Sequence, residues 1–385
     1  MELIPGLPDD VARECLIRLS HTSFPAASTT CKQWKEEIEA PEFRLWRMSH
    51  ALSQVLLVVA QARPGPVRSP GCLKLPLAPS YRLAAFEPVS GRWWELPPPP
   101  GCPDGIPMFC QLVAAGTDLV LVGGIDPVTW EASGSVYVYS FVRGEWRSGA
   151  DMPGTRRSFF ACASDGQGLV FVAGGHDGDK NALRSAMAYD VVADQWMPMP
   201  DMAEERDECK GVFSKGRFLV LGGYPTDTQG RFVRSAEEFD RATWQWRPAT
   251  EDVLGSGTSP RTCTSSTGKD GDEALYMCKD GELLVGSKCP DGTTGWRVAG
   301  RLPSEVGCPA HVATWQGKVM VIGSARFGEP HVGYVLEAIN PNEGGDEGNS
   351  SSNEDRVGGG NGTWVRVEFE EGFSGHVQAG CLFDI

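Results

Sequence analysis

Four tryptophans, Trp146, Trp196, Trp246 and Trp296, stand fifty residues apart. Ser135, Ser185 and Ser235 keep the same step. Double glycines at Gly123-Gly124, Gly174-Gly175 and Gly222-Gly223 close apolar runs over 119–122, 169–173 and 218–221. About ten residues further on, each unit has a second run, at 135–141, 185–191 and 235–240, then a turn, the tryptophan and usually a Met-Pro or Leu-Pro. A period of this length means that one supersecondary unit is repeated along the chain. The runs are short, β-branched and aromatic, and turn residues separate them, so each unit reads as about four strands. The 47 glycines and 28 prolines among 385 residues fit a chain with that many turns. A four-stranded sheet of this size cannot cover both of its faces, but sheets set radially cover one another. The pattern therefore predicts a β-propeller.

The double glycine followed by a spaced Tyr and Trp resembles the kelch repeat. Six blades can be counted. The first is degenerate, with strands at 54–60 and 81–86 before Trp93-Trp94; three clear repeats follow at 105–153, 154–203 and 204–250. The fifth, at 258–303, keeps Trp296 but lacks the glycine pair, and the sixth starts near Gly307 and places Trp364 after an insertion. The first blade lacks an inner strand. The segment 376–383 resembles the strand that opens the other blades, so it is expected to return and close the ring. The Gly-, Asn-, Glu- and Ser-rich stretch 340–362 reads as a disordered surface loop.

Residues 1–50 follow a helical pattern instead. Pro8 with Asp9-Asp10 marks a helix start, and Val11, Cys15, Leu16 and Leu19 then share a face. Ala27, Cys31, Trp34 and Ile38 form a second stripe, and Pro41 opens a third helix through Phe43, Leu45 and Trp46. So small a module has little core of its own and must lean on the propeller or on a partner. The series Leu7-Pro8-Asp9-Asp10-Val11, Leu16, Leu19, Cys31-Lys32-Gln33-Trp34 and Phe43 resembles an F-box, the element that docks on the SKP-type adaptor of cullin-RING ubiquitin ligases. A generic helical cap on the propeller is the alternative.

Together the two parts resemble the plant F-box/kelch-repeat family over almost the whole chain. The stretch from Arg184 through Trp196 and Met202 to Lys210 resembles most closely a subgroup associated with phenylalanine ammonia-lyase turnover. Relatives of that subgroup are linked to type-B response regulators of cytokinin signalling. The resemblance implies a non-catalytic substrate receptor: the F-box holds the adaptor, the propeller holds the target, and a cullin-bound RING protein with its E2 transfers ubiquitin. It implies adaptor contacts at Leu7, Pro8, Val11, Leu16, Leu19, Cys31 and Trp34, with Leu16 and Trp34 equally readable as core. It also places the target at the mouth where inner strands begin, at Arg156, Arg157, Ser158, Arg206, Asp207, Glu208, Arg261 and His311. Charged residues repeated at one level form a ring that a protein can read. Arg157 and Arg206 can equally pair with nearby acids or backbone and brace the blades. His176 reads as a loop residue rather than a ligand.

Other classes fit poorly. The net charge is −15 with no basic stripe, against nucleic-acid binding. The longest uncharged apolar run, 55–60, is six residues, against a membrane span, and the first residues lack the pattern of a signal peptide. The twelve cysteines are scattered without a Cys-x-x-Cys pair, which reads as reduced thiols in a cytosolic or nuclear protein. In that setting the sequons at Asn349 and Asn361 would be inert. A propeller copper oxidase needs paired His and Tyr ligands, and His176, His311, His331 and His376 show no such pattern. A sialidase-type propeller needs Asp-box motifs that are not seen, and neither a phosphate loop nor a serine elbow is present. No metal or cofactor is expected. A kelch scaffold that binds without degradation remains as a third reading.

Overall fold

The structure, a computed structural model, describes residues 3–63, 79–255, 258–267, 273–288, 294–338, 356–359 and 362–385. Six antiparallel sheets make up the propeller. Blade two consists of Gln111–Ala115, Asp118–Val122, Val136–Ser140 and Glu145–Gly149, from the axis outwards. Blade three follows with Ala161–Ser164, Leu169–Ala173, Ala186–Asp190 and Gln195–Pro198, and blade four with Lys210–Ser214, Arg217–Leu221, Ala236–Asp240 and Gln245–Trp246. Blade five has no glycine pair, yet it keeps four strands: Thr264–Thr267, Glu273–Lys279, Glu282–Lys288 and Thr294–Arg301. Its middle pair turns at Asp280-Gly281 instead, with both residues at positive φ.

The ring closes as the repeat pattern predicts. Val377–Asp384 is the inner strand of blade one and pairs antiparallel with Val55–Ala62, followed by Tyr81–Glu87 and Arg92–Glu95. The first and last thirds of the chain thereby share one sheet, and no inner edge is left unpaired there. Blade six differs from the loop expected at 340–362. His311–Trp315, Lys318–Gly323, Val332–Ala338 and Gly362–Val367 are joined by a fifth strand, Arg356–Gly359, outside them. Residues 340–355, 360 and 361 of that stretch lie outside the described residues.

The repeated aromatics explain the spacing. Tyr139 faces Trp146, Tyr189 faces Trp196 and Phe239 faces Trp246 across the outer strand pairs, with ring centroids 5.2, 5.1 and 5.2 Å apart. Each indole then reaches the preceding blade. The Nε1 of Trp146, Trp196, Trp246, Trp296 and Trp364 donates to the carbonyls of Pro97, Ala150, Pro200, Val253 and Arg301 at 2.6–2.8 Å. Blade one is the exception: Trp93 packs on Phe86, Phe369 and Phe373, and its Nε1 is buried without a partner.

The glycine pairs serve a close approach. A Cβ on Gly124 would lie 2.8 Å from the Met108 carbonyl, one on Gly175 2.4 Å from that of Ser158, and one on Gly223 2.7 Å from that of Asp207. All three glycines have positive φ, so a side chain there is excluded twice over.

Four helices precede the propeller: α1 (Asp9–Ile17), α2 (Phe24–Ser28), α3 (Lys32–Glu39) and α4 (Pro41–Ser49). Leu16, Ile17, Phe24, Ala27, Ile38 and Phe43 form one continuous apolar cluster with Phe141, Val142, Phe383 and Ile385 of the propeller. The module thus borrows its core from blades one and two, as its size requires.

Candidate functional site

Antiparallel connectivity separates two ends of the propeller. At one end lie the tight turns from the first to the second strand and from the third to the fourth. At the other lie the glycine-pair loops and the entries to the inner strands, around the channel mouth. The helical module is fastened to the first end. Arg47 of α4 is 2% exposed and donates to the carbonyls of Leu19 at 2.6 Å, Leu52 at 2.9 Å and Ile385 at 3.3 Å, and also to that of Ile17. Arg44 donates to the Asp384 carbonyl at 3.0 Å. Arg143, in the outer turn of blade two, holds Glu39 of α3 through two bonds of 3.1 and 2.9 Å. His21 stacks on Trp94, and its backbone N–H donates to Gln54 at 2.8 Å. These contacts tie three separate segments of the module to the ring.

The expected adaptor residues divide. Leu16 is buried, and Leu19 and Trp34 pack partly buried against the same core, Trp34 donating its Nε1 to the Leu3 carbonyl at 2.8 Å. Leu7 is half-buried. Pro8, Val11 and Cys31 are exposed, and Cys31 caps α3 through its sulfur. Leu16 is therefore a core residue, because it lies on the face of α1 turned to Phe24 and Phe43 in the shared cluster. Three exposed apolar residues of α4 had not been singled out as contacts: Leu45, Trp46 and Met48, at 58%, 37% and 40% exposure. The signal was their phase. Phe43 and Arg47 mark the buried stripe, and Leu45 and Met48 fall off it. Helix α4 packs beside α1, where Arg13 lies over the Trp46 ring at 5.7 Å.

At the channel mouth the arginine ring is corrected. Arg157 is 2% exposed and donates to the carbonyls of Gly174 and Ser185 and to Ser185 Oγ at 2.8–3.1 Å. Arg206 repeats this one blade on, with Gly222, Ser235 and Ser235 Oγ, and adds Glu237. Both buried guanidinium groups brace the glycine-pair loop, Arg157 through its two terminal nitrogens while its Nε has no partner. Ser158 and Asp207 are buried too. Asp207 receives His176 Nδ1 at 2.8 Å, and Lys180 Nζ donates to His176 Nε2 at 2.9 Å. These bonds set the His176 tautomer, with its proton on Nδ1, so His176 is a loop residue, as read, but one buried and held on both ring nitrogens. Arg156 and Arg261 are exposed at the mouth, Glu208 is half-buried and receives the Tyr224 hydroxyl at 2.9 Å, and His311 lies half-buried in the channel.

Three mouth residues share an unusual backbone. Phe109, Phe159 and Glu208 precede consecutive inner strands by the same two positions and have φ of 55°, 55° and 49°. Non-glycine residues held in this region cluster at functional sites. Phe109 and Phe159 touch at 5.0 Å, and Phe159 stacks on His176.

The interior thiols are quiet. Burial pushes Cys110, Cys162 and Cys263 up to about 12 and Cys209 up to about 11, which leaves them protonated. The ten described cysteines are all free, and no cluster of His, Cys, Asp and Glu among the described residues has the makings of a metal site.

Fold and surfaces together define a class: a six-bladed β-propeller carrying a small helical module on the end opposite its channel mouth. The F-box domain model matches residues 4–46, and the Kelch motif model matches residues 109–153 and 156–203. F-box/kelch-repeat protein At1g80440 of Arabidopsis thaliana is 45% identical over 392 residues, covering 100% of both chains. F-box/kelch-repeat protein At1g15670 of the same plant is 45% identical over 388 residues with the same coverage. The chain belongs to the F-box/kelch-repeat family. A solved structure titled "Structure of YjhT" matches with a TM-score of 0.51 at 12% identity, over 68% of this chain and 89% of that one, which speaks for the fold alone. An F-box implies an SKP-type adaptor as partner.

Proposed function

We propose that this protein is the substrate receptor of an SKP-cullin-F-box ubiquitin ligase and performs no bond chemistry itself. The observation that carries this reading is the F-box match on helices that are fixed to the propeller yet leave Val11, Leu45, Trp46 and Met48 exposed. Exposed apolar residues on a small module are natural interface anchors, with Trp the most enriched among them. The channel mouth, with Arg156, Arg261 and the Phe109–Phe159 pair, lies at the other end, where a target is held clear of the adaptor. The receptor's contribution is effective concentration: a tethered target meets the ligase as if at millimolar levels.

For the target we favour phenylalanine ammonia-lyase, with type-B response regulators as the alternative. Support for both comes from the resemblance of the stretch 184–210. We place this work in the cytosol or nucleus, in keeping with the free cysteines. Co-expression with an SKP-type adaptor tests the receptor reading. A stable complex that survives gel filtration is expected, and a chain that elutes alone would overturn it. A pull-down under proteasome inhibition, probed separately for the lyase and the regulators, tests the target. Enrichment of neither removes the target assignment and leaves the receptor in place.

A further inference from the structure

The six inner strands ring a channel whose chemistry neither the adaptor nor the mouth explains. Register places Gln111, Ala161, Lys210 and His311 at one level. Each pairs with the residue of its second strand that directly precedes a glycine, namely Val122, Ala173, Leu221 and Ile322. Two chambers meet at this level. The upper, about 130 Å3, opens between Phe109, Phe159, Glu208, Arg261 and His376. The lower, about 370 Å3, is lined by Ser164, Thr264, Ser265, Ser266 and Thr314 together with Trp315. Lys210 and His311 line both and so form the neck.

The charge at the neck is unbalanced. Lys210 is the one charged residue among the described residues of the lower chamber, and no described carboxylate pairs with it. The nearest acid of the upper chamber, Glu208, is taken up by Tyr224. His311 Nε2 is buried without a partner, its ring against Gly380, where an added Cβ would lie 2.6 Å from that nitrogen. In a chain of net charge −15, a half-buried ammonium among thiols and hydroxyls with no acid facing it is an expensive feature unless an anion joins it. A chamber of a few hundred cubic ångströms on which several polar groups converge is also of the size of a small-molecule site.

We infer that the channel binds a small organic carboxylate, its head on Lys210 and His311 at the neck and its body in the hydroxyl-lined lower chamber. Burial holds the Lys210 ammonium below its usual range, and burial drives His311 down to about 3, so the imidazole is neutral and has an N–H to give. A bound carboxylate restores the missing counter-charge.

Thermal unfolding of the full chain with sodium hexanoate or sodium benzoate tests this, with sodium chloride at matched ionic strength and 1-hexanol as controls. A saturable rise in Tm with the carboxylates alone is expected. Lys210→Met should weaken it by about tenfold or more, the worth of a charge-assisted hydrogen bond, and Lys210→Arg should retain it. Carboxylates that act no differently from chloride, or that act equally on wild type and Lys210→Met, overturn the proposal. If Lys210→Met does not fold, reductive methylation of the wild type reads the same contact. Hexanoate should slow labelling of Lys210 several-fold and leave the exposed Lys32 and Lys35 unchanged; unchanged labelling at Lys210 overturns it.

Discussion

Arg206 and Glu237 meet at 3.1 Å in blade four, each side chain only 1% exposed. Glu237 also accepts the backbone N–H of Ala203 at 2.7 Å, and Arg206 donates to Gly222 and to both Ser235 oxygens. The pair is therefore buried with its hydrogen-bonding capacity spent. Removing one partner strands a charge in a low-dielectric interior, which typically costs about 3–5 kcal/mol. Arg206→Ala and Glu237→Ala should each lower the urea midpoint by that measure, and the double variant by less than the sum. Shifts near zero would mean that the pair is solvated and available to a target after all.

Arg157 offers a comparison. It has the same carbonyl and serine partners but no carboxylate, because the position that Glu237 occupies in blade four is Met187 in blade three. Arg157→Ala leaves no acid behind, so it should destabilise less than Arg206→Ala. The ranking is read from paired unfolding curves.

Blade number, strand order and ring closure were legible because the repeat restates its pattern in each unit and the missing inner strand of blade one had a matching segment at 376–383. The arginines were not, because a charged residue at a loop reads as surface unless its acceptors are known. A trace of them existed. Ser185 follows Arg157 by 28 residues and Ser235 follows Arg206 by 29, so the fifty-residue serine step recorded the other half of each clamp. Arg47 left no such trace, since its carbonyl acceptors come from Ile17, Leu19, Leu52 and Ile385, far apart in the chain. The lysine at the neck was equally silent: what matters there is that its counterparts at the same level of three other inner strands, Gln111, Ala161 and His311, are not acids.

The module separates interface from core in a way that mutation can read. Leu45→Glu and Met48→Glu replace exposed side chains on α4 and should leave Tm unchanged while weakening adaptor binding at least about tenfold, as expected of anchors. Leu16→Ala empties a core position and should cost about 2–5 kcal/mol. Co-purification with the adaptor and thermal unfolding, run on the same preparations, distinguish the two. A Leu45→Glu protein that keeps full adaptor binding would move the interface off α4.

The indole bolts make a graded prediction. Trp196→Phe and Trp364→Phe each leave a carbonyl of the preceding blade without its donor, whereas Trp93→Phe removes an Nε1 that has no partner. All three lose similar ring volume. The first two should therefore cost about 1 kcal/mol more than the third, the net worth of one hydrogen bond. Equal losses in urea unfolding would show that packing alone sets the tryptophan positions.

Acid should loosen the ring through two imidazoles of the channel end. Burial holds His311 down at about 3 and His331 at about 4. In the unfolded chain these groups protonate near the ordinary histidine value of about 6.5. Between those limits the unfolded state binds more protons, so stability rises with pH, is complete above the unfolded value and is lost as pH falls towards the folded one. Each such group contributes a slope of up to about 1.4 kcal/mol per pH unit. His311→Gln should flatten the dependence of unfolding free energy on pH between pH 6 and pH 4 by about one such slope. An unchanged slope would mean that the channel admits enough water to solvate a charged His311, and the neck would then be open rather than enclosed.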